Sequence, residues 1–407
     1  MVSISTNVVL DDLATSERTS TVDEPCIAAN SKTVLVTGNW YSTRSTDRGQ
    51  TWTMLDPFTA FPMVGGNFCC DQLVWYSKRR KRWLWILQYD NGLPNGANVL
   101  RLAISRTSAP GSWTWWDFSP TDVDVSWRGQ WFDFPDLGET DDHVWLSSNV
   151  FDNAAPENHW QHSMVLRIPW SEMLAGTPLS HLRWTSDNLS APRLALGATD
   201  TMWFGTLGAP GHTEVFSWPD ASTQASTWTV AVSPWSNADY SSNGPDGKPW
   251  LARADDRVTG AWLENGIVGF AWSAARRTGR PHPYVRCVRI DTTTLDVVDE
   301  PDLWSATGAW AYPAIAPNTA GDIAMAAFFG GPTHPAHAVG VFDPATSTWK
   351  MSITATSTHA PTEGKWGDYV ACKPHPTKRH AWITVGFVLN GGDDRTAVEP
   401  RYICWSA

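Results

Sequence analysis

Four short segments of this 407-residue chain carry carboxylates where the chain is about to enter a strand: Asp23-Glu24-Pro25, Cys69-Cys70-Asp71-Gln72, Trp131-Phe132-Asp133-Phe134-Pro135-Asp136 and Lys365-Trp366-Gly367-Asp368-Tyr369. Two carboxyl groups on either side of a glycosidic bond are the machinery of its hydrolysis, about 5 Å apart for retention and further for inversion. A Tyr or His base, with a cation to neutralise a uronate, would instead support β-elimination. Asp71, Asp133, Asp136, Asp368 and Tyr369 are therefore the catalytic candidates. A single Asp at such a place is ordinarily a turn or cap residue; the set is the signal. Like charges gathered in one place are costly unless they hold a cation, share protons or pair with Arg. Ca²⁺ is the cofactor such a cluster could take, although no ligand set is readable.

Rings stack on the apolar faces of sugars, and polar groups take the hydroxyls. Trp40, Tyr41, Tyr89, Trp131, Trp250, Trp272 and Trp366 are candidate platforms; some of them must instead pack in the core. Arg193, Glu24 and Lys365 are candidate substrate anchors, with Arg253 a further cation and His212, His282 and His334 on nearby loops.

These residues can converge only if the chain repeats a strand-bearing unit. A short Trp-containing strand recurs at Trp52, Trp113, Trp184, Trp228 and Trp349, with a weaker equivalent near Val297. Four β-rich runs fit within each interval, as in Pro25–Asn30, Thr33–Gly38, Trp40–Ser45 and Thr51–Leu55. The last unit holds three runs, Tyr369–Lys373, Ala381–Leu389 and Arg401–Trp405. The isolated run Val2–Leu10 supplies the fourth and closes a ring without a free edge.

Residues Ser45-Thr46-Asp47-Arg48-Gly49-Gln50-Thr51-Trp52 carry the pattern Ser-x-Asp-x-Gly-x-Thr-Trp. This resembles the Asp-box, a hairpin turn on the outer edges of β-propeller blades in sialidase-like proteins. Asp47 can bond forward to backbone N–H groups, Gly49 supplies a positive φ, and Trp52 leaves as an apolar anchor. The resemblance implies a propeller and a box remote from the active site. The expected fold is all-β: one seven-bladed β-propeller of four-stranded blades over 1–407, since six blades would leave a unit unassigned.

Composition agrees: 27 Trp, 30 Gly and 28 Pro, with 17% charged residues, suit many short strands between turns. A net charge of −11 argues against a nucleic-acid partner, and no run is long enough for a membrane helix. The start lacks a signal peptide's basic and apolar regions, so the protein is read as secreted if a signal precedes it and otherwise cytoplasmic. The six cysteines lack zinc-ligand spacing and are expected as buried thiols, with one or two disulfides the alternative in a secreted protein; neighbours such as Cys69 and Cys70 rarely bond to each other.

A sialidase would need three arginines around the substrate carboxylate and an early Arg-Ile-Pro. The chain's Arg167-Ile168-Pro169 falls instead on a third strand. A propeller lectin would repeat its site in every blade, whereas these strand starts differ from one another. The reading is a monomeric carbohydrate-active enzyme, a glycoside hydrolase with one central site. A polysaccharide lyase, a lectin and an enzyme of aromatic or terpenoid small molecules are the alternatives.

Overall fold

The computed structural model describes residues 2–10, 12–154, 158–392 and 396–407. Within them, seven four-stranded antiparallel sheets stand in a ring, a seven-bladed β-propeller with only three short helices. From the axis outward, blade I takes Cys26–Ala29, Val34–Thr37, Ser42–Ser45 and Thr53–Met54. The innermost strands of blades II to VI are Phe68–Ser77, Trp131–Glu139, Arg193–Leu194, Val258–Glu264 and Ala309–Pro317. Blade VII runs from Ala371–Pro374 through Ala381–Leu389 and Val398–Ser406 to Ser3–Val9.

That last strand closes the ring as the sequence leads one to expect. It pairs antiparallel with Val398–Ser406, Ser3 opposite Ser406 and Val9 opposite Arg401. Asn7 adds side-chain ties, accepting from Arg401 Nε at 2.9 Å and donating to Thr354 O of blade VI at 2.9 Å. Pairing the two chain ends leaves blade VII with no innermost-to-outermost gap to unzip.

Second strands such as Arg82–Tyr89 are buried along nearly their whole length. Each sheet is covered on both faces by its neighbours, so apolar residues run without alternation, as they do wherever a sheet is buried on both sides. Tryptophans fill the wedges between blades. Trp145 of blade III meets Trp218 of blade IV edge-on at 5.3 Å, and Trp382 of blade VII donates to Ala316 O of blade VI at 3.0 Å. Trp52 leaves the Ser45–Trp52 turn to pack against Tyr402 of blade VII at 5.3 Å.

Inside that turn Asp47 Oδ1 accepts the N–H groups of Gln50 and Thr51 at 3.0 and 2.9 Å, and Gly49 sits at φ 88°. These bonds hold the Asp47 carboxyl below the ordinary carboxylate range, the Thr51 hydroxyl contributing most. The turn lies at the outer rim of blade I, remote from the axis.

One irregularity recurs around the axis. The innermost ladders slip register between Phe68 and Gln72, Asp133 and Asp136, and Ala311 and Ala314. Glu24, Phe134, Ala191 and Tyr312 each precede a proline and take a left-handed backbone, with φ between 49° and 57°. Bulges and left-handed non-glycine residues re-aim side chains and are held only where neighbours over-determine them. Here the preceding blade does so: Asn98 brackets Phe132 (2.8 and 2.9 Å), Asn149 Oδ1 accepts from Ala191 N (2.7 Å), and Ser273 Oγ accepts from Tyr312 N (2.9 Å).

Candidate functional site

The bulges gather at one mouth of the central channel, where a cavity of about 540 Å³ opens. Glu24 of blade I, Asp71 of blade II, Asp133 of blade III and Asp368 of blade VII share its wall with Arg253, Gln88 and the rings of Trp40, Tyr89 and Trp131. The two residues inserted before Gln72 lift Asp71 out of the ladder; the kink at Phe134-Pro135 separates Asp133 from Asp136.

The carboxyl groups are held in different states. Burial, reinforced by Asp133 and Asp368, pushes Asp71 up to about 8, with Glu24 in hydrogen-bond reach of it. Burial together with Asp368 and Asp71 likewise drives Glu24 well above the carboxylate range, although Asn39 Nδ2 donates to its Oε2 at 2.9 Å. Burial also raises Asp133, partly offset by Arg257 and by Gln88, whose Nε2 stands 3.5 Å from Oδ1. Asp368 instead receives Arg257 Nη2 on Oδ2 at 3.0 Å, while its buried Oδ1 has no partner. Burial opposes the Arg257 charge, but Asp368, Asp255 and Asp133 outweigh it and keep the guanidinium protonated. Carboxyl groups raised by burial thus face one that is ion-paired, the arrangement by which acid and base roles are separated.

The sequence candidates divide into three groups. Glu24, Asp71, Asp133, Asp368, Trp40, Tyr89 and Trp131 line this cavity. Trp131 stacks on Phe151 at 5.3 Å and donates to Asp152 O, while Tyr89 turns its hydroxyl away to accept from Arg101 at 2.8 Å. Asp136, Arg193 and Tyr369 sit deeper, around an internal space of about 40 Å³. Asp136 Oδ2 lies 3.3 Å from Arg193 Nε and accepts from Leu194 N at 2.9 Å, so it joins blades III and IV rather than the acidic mouth. Tyr369 packs edge-on against Phe134 at 5.9 Å, its buried hydroxyl without a partner.

The third group lies in the core. Trp250, Trp272 and Trp366 are fully buried, Trp366 stacked on Phe387 at 4.8 Å, and Tyr41 is buried with its hydroxyl donating to Asp23. No face of these rings is open to a sugar; wedge-filling between blades has claimed them. Lys365 is half-buried and pairs with Glu363 at 3.3 Å. His212, His282 and His334 do not line the cavity.

Two features were not anticipated. Cys69 and Cys70 form a disulfide on the cavity wall next to Asp71, against the expectation for neighbouring cysteines, while Cys26, Cys287, Cys372 and Cys404 are free and buried. The second is Arg257. Lys248-Pro249-Trp250 reads as the start of blade V because a proline precedes an aromatic residue, but the innermost strand begins at Val258. Trp250 caps the core instead, and the Arg253–Arg257 loop forms the rim. Among the described residues no group of three His, Cys, Asp or Glu side chains is arranged to hold a metal ion. The cation beside the carboxylates comes from the chain itself.

No family model matches the chain, and no curated protein matches it. Among solved structures it is similar to the Dos1 propeller, at 10% identity over 99% of this chain and 95% of that one, with a TM-score of 0.48. It is also similar to the α-L-arabinofuranosidase Arb93A from Fusarium graminearum, at 8% identity over 99% and 97% of the two chains, with a TM-score of 0.47. A puromycin hydrolase aligns at 14% identity over 90% of this chain and 50% of its own, with a TM-score of 0.47. At such identities and scores these likenesses carry no inference about activity.

Proposed function

We propose that the protein is a carbohydrate-active enzyme, a glycoside hydrolase working at the acidic mouth of the channel. One observation carries the reading: in a single cavity Asp71 keeps its proton up to about 8, while Asp368 is ion-paired with Arg257 and has one oxygen without a partner. Carboxyl groups whose environments push them apart are the means by which one site supplies both an acid and a base. Asp71 gives its proton to the glycosidic oxygen as the bond to the anomeric carbon breaks. Asp368 supplies an electron pair to that carbon, or takes the proton of the water that attacks it. Burial and the charges of Asp133 and Asp368 keep the proton on Asp71, and Trp40 and Trp131 offer rings to the sugar.

The test is incubation with a panel of plant and microbial oligo- and polysaccharides, following new reducing ends and the ultraviolet absorbance of unsaturated uronates. Reducing ends without that absorbance support the hydrolase. A second reading, β-elimination, draws support from Arg253, which is half-exposed at the rim and only loosely paired with Asp368 at 3.7 Å, so that a uronate could share it. New absorbance would select it. Binding of a glycan with neither product would reject both in favour of a lectin.

A further inference from the structure

The opposite mouth of the channel has the reverse character. A cavity of about 780 Å³ opens there, within the range of small-molecule sites. Lys78, Lys81 and Lys373 face it against a single carboxylate, Glu264, in a chain whose net charge is −11. Among the described residues, none of these three lysines makes an ion pair. Lys373 lines both this cavity and the internal space, so it forms the floor. Its ammonium stands 4.4 Å from the centroid of the Trp75 ring. Asp136, the nearest acid deeper in, is already engaged by Arg193. Burial accordingly lowers the Lys373 ammonium from its ordinary range. The floor therefore holds an amine with no ion-pair partner among the described residues, whose charged form a bound anion would favour.

The walls have a second component. Ala28, Val74, Pro317 and Pro374 give the cavity apolar sides, and Trp75 and Tyr76 give it rings. His375 Nδ1 accepts the N–H groups of Thr377 and Lys378 at 3.2 and 3.0 Å, which leaves Nε2 to donate into the cavity. The internal space between the mouths, about 40 Å³, admits a few waters and no sugar ring. The two mouths are thus separate sites.

We propose that this second mouth binds a small organic anion with a flat apolar body, an aromatic carboxylate, its negative group on Lys373 and its ring against Trp75. The site is independent of the catalytic reading of the acidic mouth. Lys78 and Lys81 draw the anion in from solvent, and a bare inorganic anion leaves the apolar walls unused.

The folded full-length chain is titrated with the fluorescent probe anilinonaphthalene sulfonate, an apolar ring system with a fixed negative charge, and displaced with benzoate or inorganic phosphate. Saturable binding of one probe per chain is expected, displaced by benzoate and not by phosphate. Lys373→Met weakens it at least about tenfold, as loss of a charge-assisted contact does. The exposed pair Lys78→Ala/Lys81→Ala, which does not endanger folding, weakens it several-fold and steepens nothing else. Asp368→Asn, at the other mouth, leaves it unchanged. Unsaturable binding, equal affinity in the wild type and the Lys78→Ala/Lys81→Ala protein, phosphate competing as well as benzoate, or loss of binding in Asp368→Asn would each overturn the proposal.

Discussion

Arg257 of blade V reaches across the channel mouth to Asp368 of blade VII, Nη2 to Oδ2 at 3.0 Å. Its Nε meets Asp255 at 2.7 Å, and the guanidinium lies 4.4 Å from the centroid of Phe134 in blade III. One side chain therefore ties three blades at the place where four carboxyl groups crowd. Arg257→Gln keeps the planar head and removes the charge. It is expected to cost about 3 kcal/mol, the lower end for breaking a buried pair, read as a shift in the urea midpoint. An unchanged midpoint would mean that the pair is solvated and idle.

The acidic mouth separates two kinds of aspartate, and conservative variants should tell them apart. Asp71→Asn and Asp368→Asn alter charge with little change in volume, so folding persists while turnover falls at least about a hundredfold. Asp136→Asn removes the charge that pairs with Arg193, while its amide oxygen can still accept from Leu194 N. It should lower the melting temperature and leave turnover per folded molecule near wild type. Loss of activity in Asp136→Asn with stability intact would move the chemistry down the channel.

The same cluster gives stability a direction in pH. Asp71 has an ordinary value of 3.8 when the chain is unfolded and is raised to about 8 in the fold. Between those values the folded state binds the extra proton. Its contribution is complete below about 4 and is lost as pH climbs through about 8. Glu24 and Asp133 are shifted the same way. The melting temperature should therefore decline from weakly acidic toward alkaline pH, and Asp71→Asn should flatten the slope. Hydrolysis should fail on the alkaline side as Asp71 loses the proton it must donate. A melting temperature that rises from pH 5 to 8 and is insensitive to Asp71→Asn would contradict this.

The propeller was legible because its signals are local: turn chemistry at Asp47, a Trp at or beside the outer strand of five blades, and a run at Val2–Leu10 with no other partner. Strand starts were less legible, and for one reason. The runs Phe134–Leu137 and Pro313–Pro317 read as the first strands of blades III and VI, yet those strands begin at Trp131 and Ala309, because a bulge breaks the two-residue alternation beside each proline. The same bulges aim Asp71 and Asp133, so the site hid where the periodicity failed. Burial was illegible too. Trp131 at the rim and Trp366 in the core each stand two residues before an aspartate and three before an aromatic residue, and only the stacking of blades decides which ring faces the cavity. Arg257 was hidden by eight residues of loop between Pro249 and Val258.

Ring closure rests on one strand. Ser3–Val9 supplies the outer edge of blade VII, and Asn7 bonds to blade VI. Deleting residues 1–9 exposes the edge of Val398–Ser406 and removes these ties. A fall of several degrees in melting temperature and greater aggregation are expected. Superimposable melting curves for the shortened and full chains would show that the pairing contributes nothing to closure.

The disulfide between Cys69 and Cys70 yields the last prediction. It lies inside the two-residue insertion that lifts Asp71 from the innermost strand of blade II, and both cysteines line the acidic cavity. A bulge that ladder bonds do not hold needs another constraint, and this bond links the two residues immediately before Asp71. Opening it frees the backbone that aims the proposed acid, and small misplacements of a catalytic group are expensive. The Cys69→Ser/Cys70→Ser protein should lose roughly tenfold or more in kcat/KM, with little change in melting temperature because the blade ladders are intact. Wild-type protein treated with a reductant should match that variant and recover on reoxidation. The four buried thiols are free in both states, so they cannot mimic the effect. Full activity in both the variant and the reduced wild type would show that Asp71 is positioned without the bond.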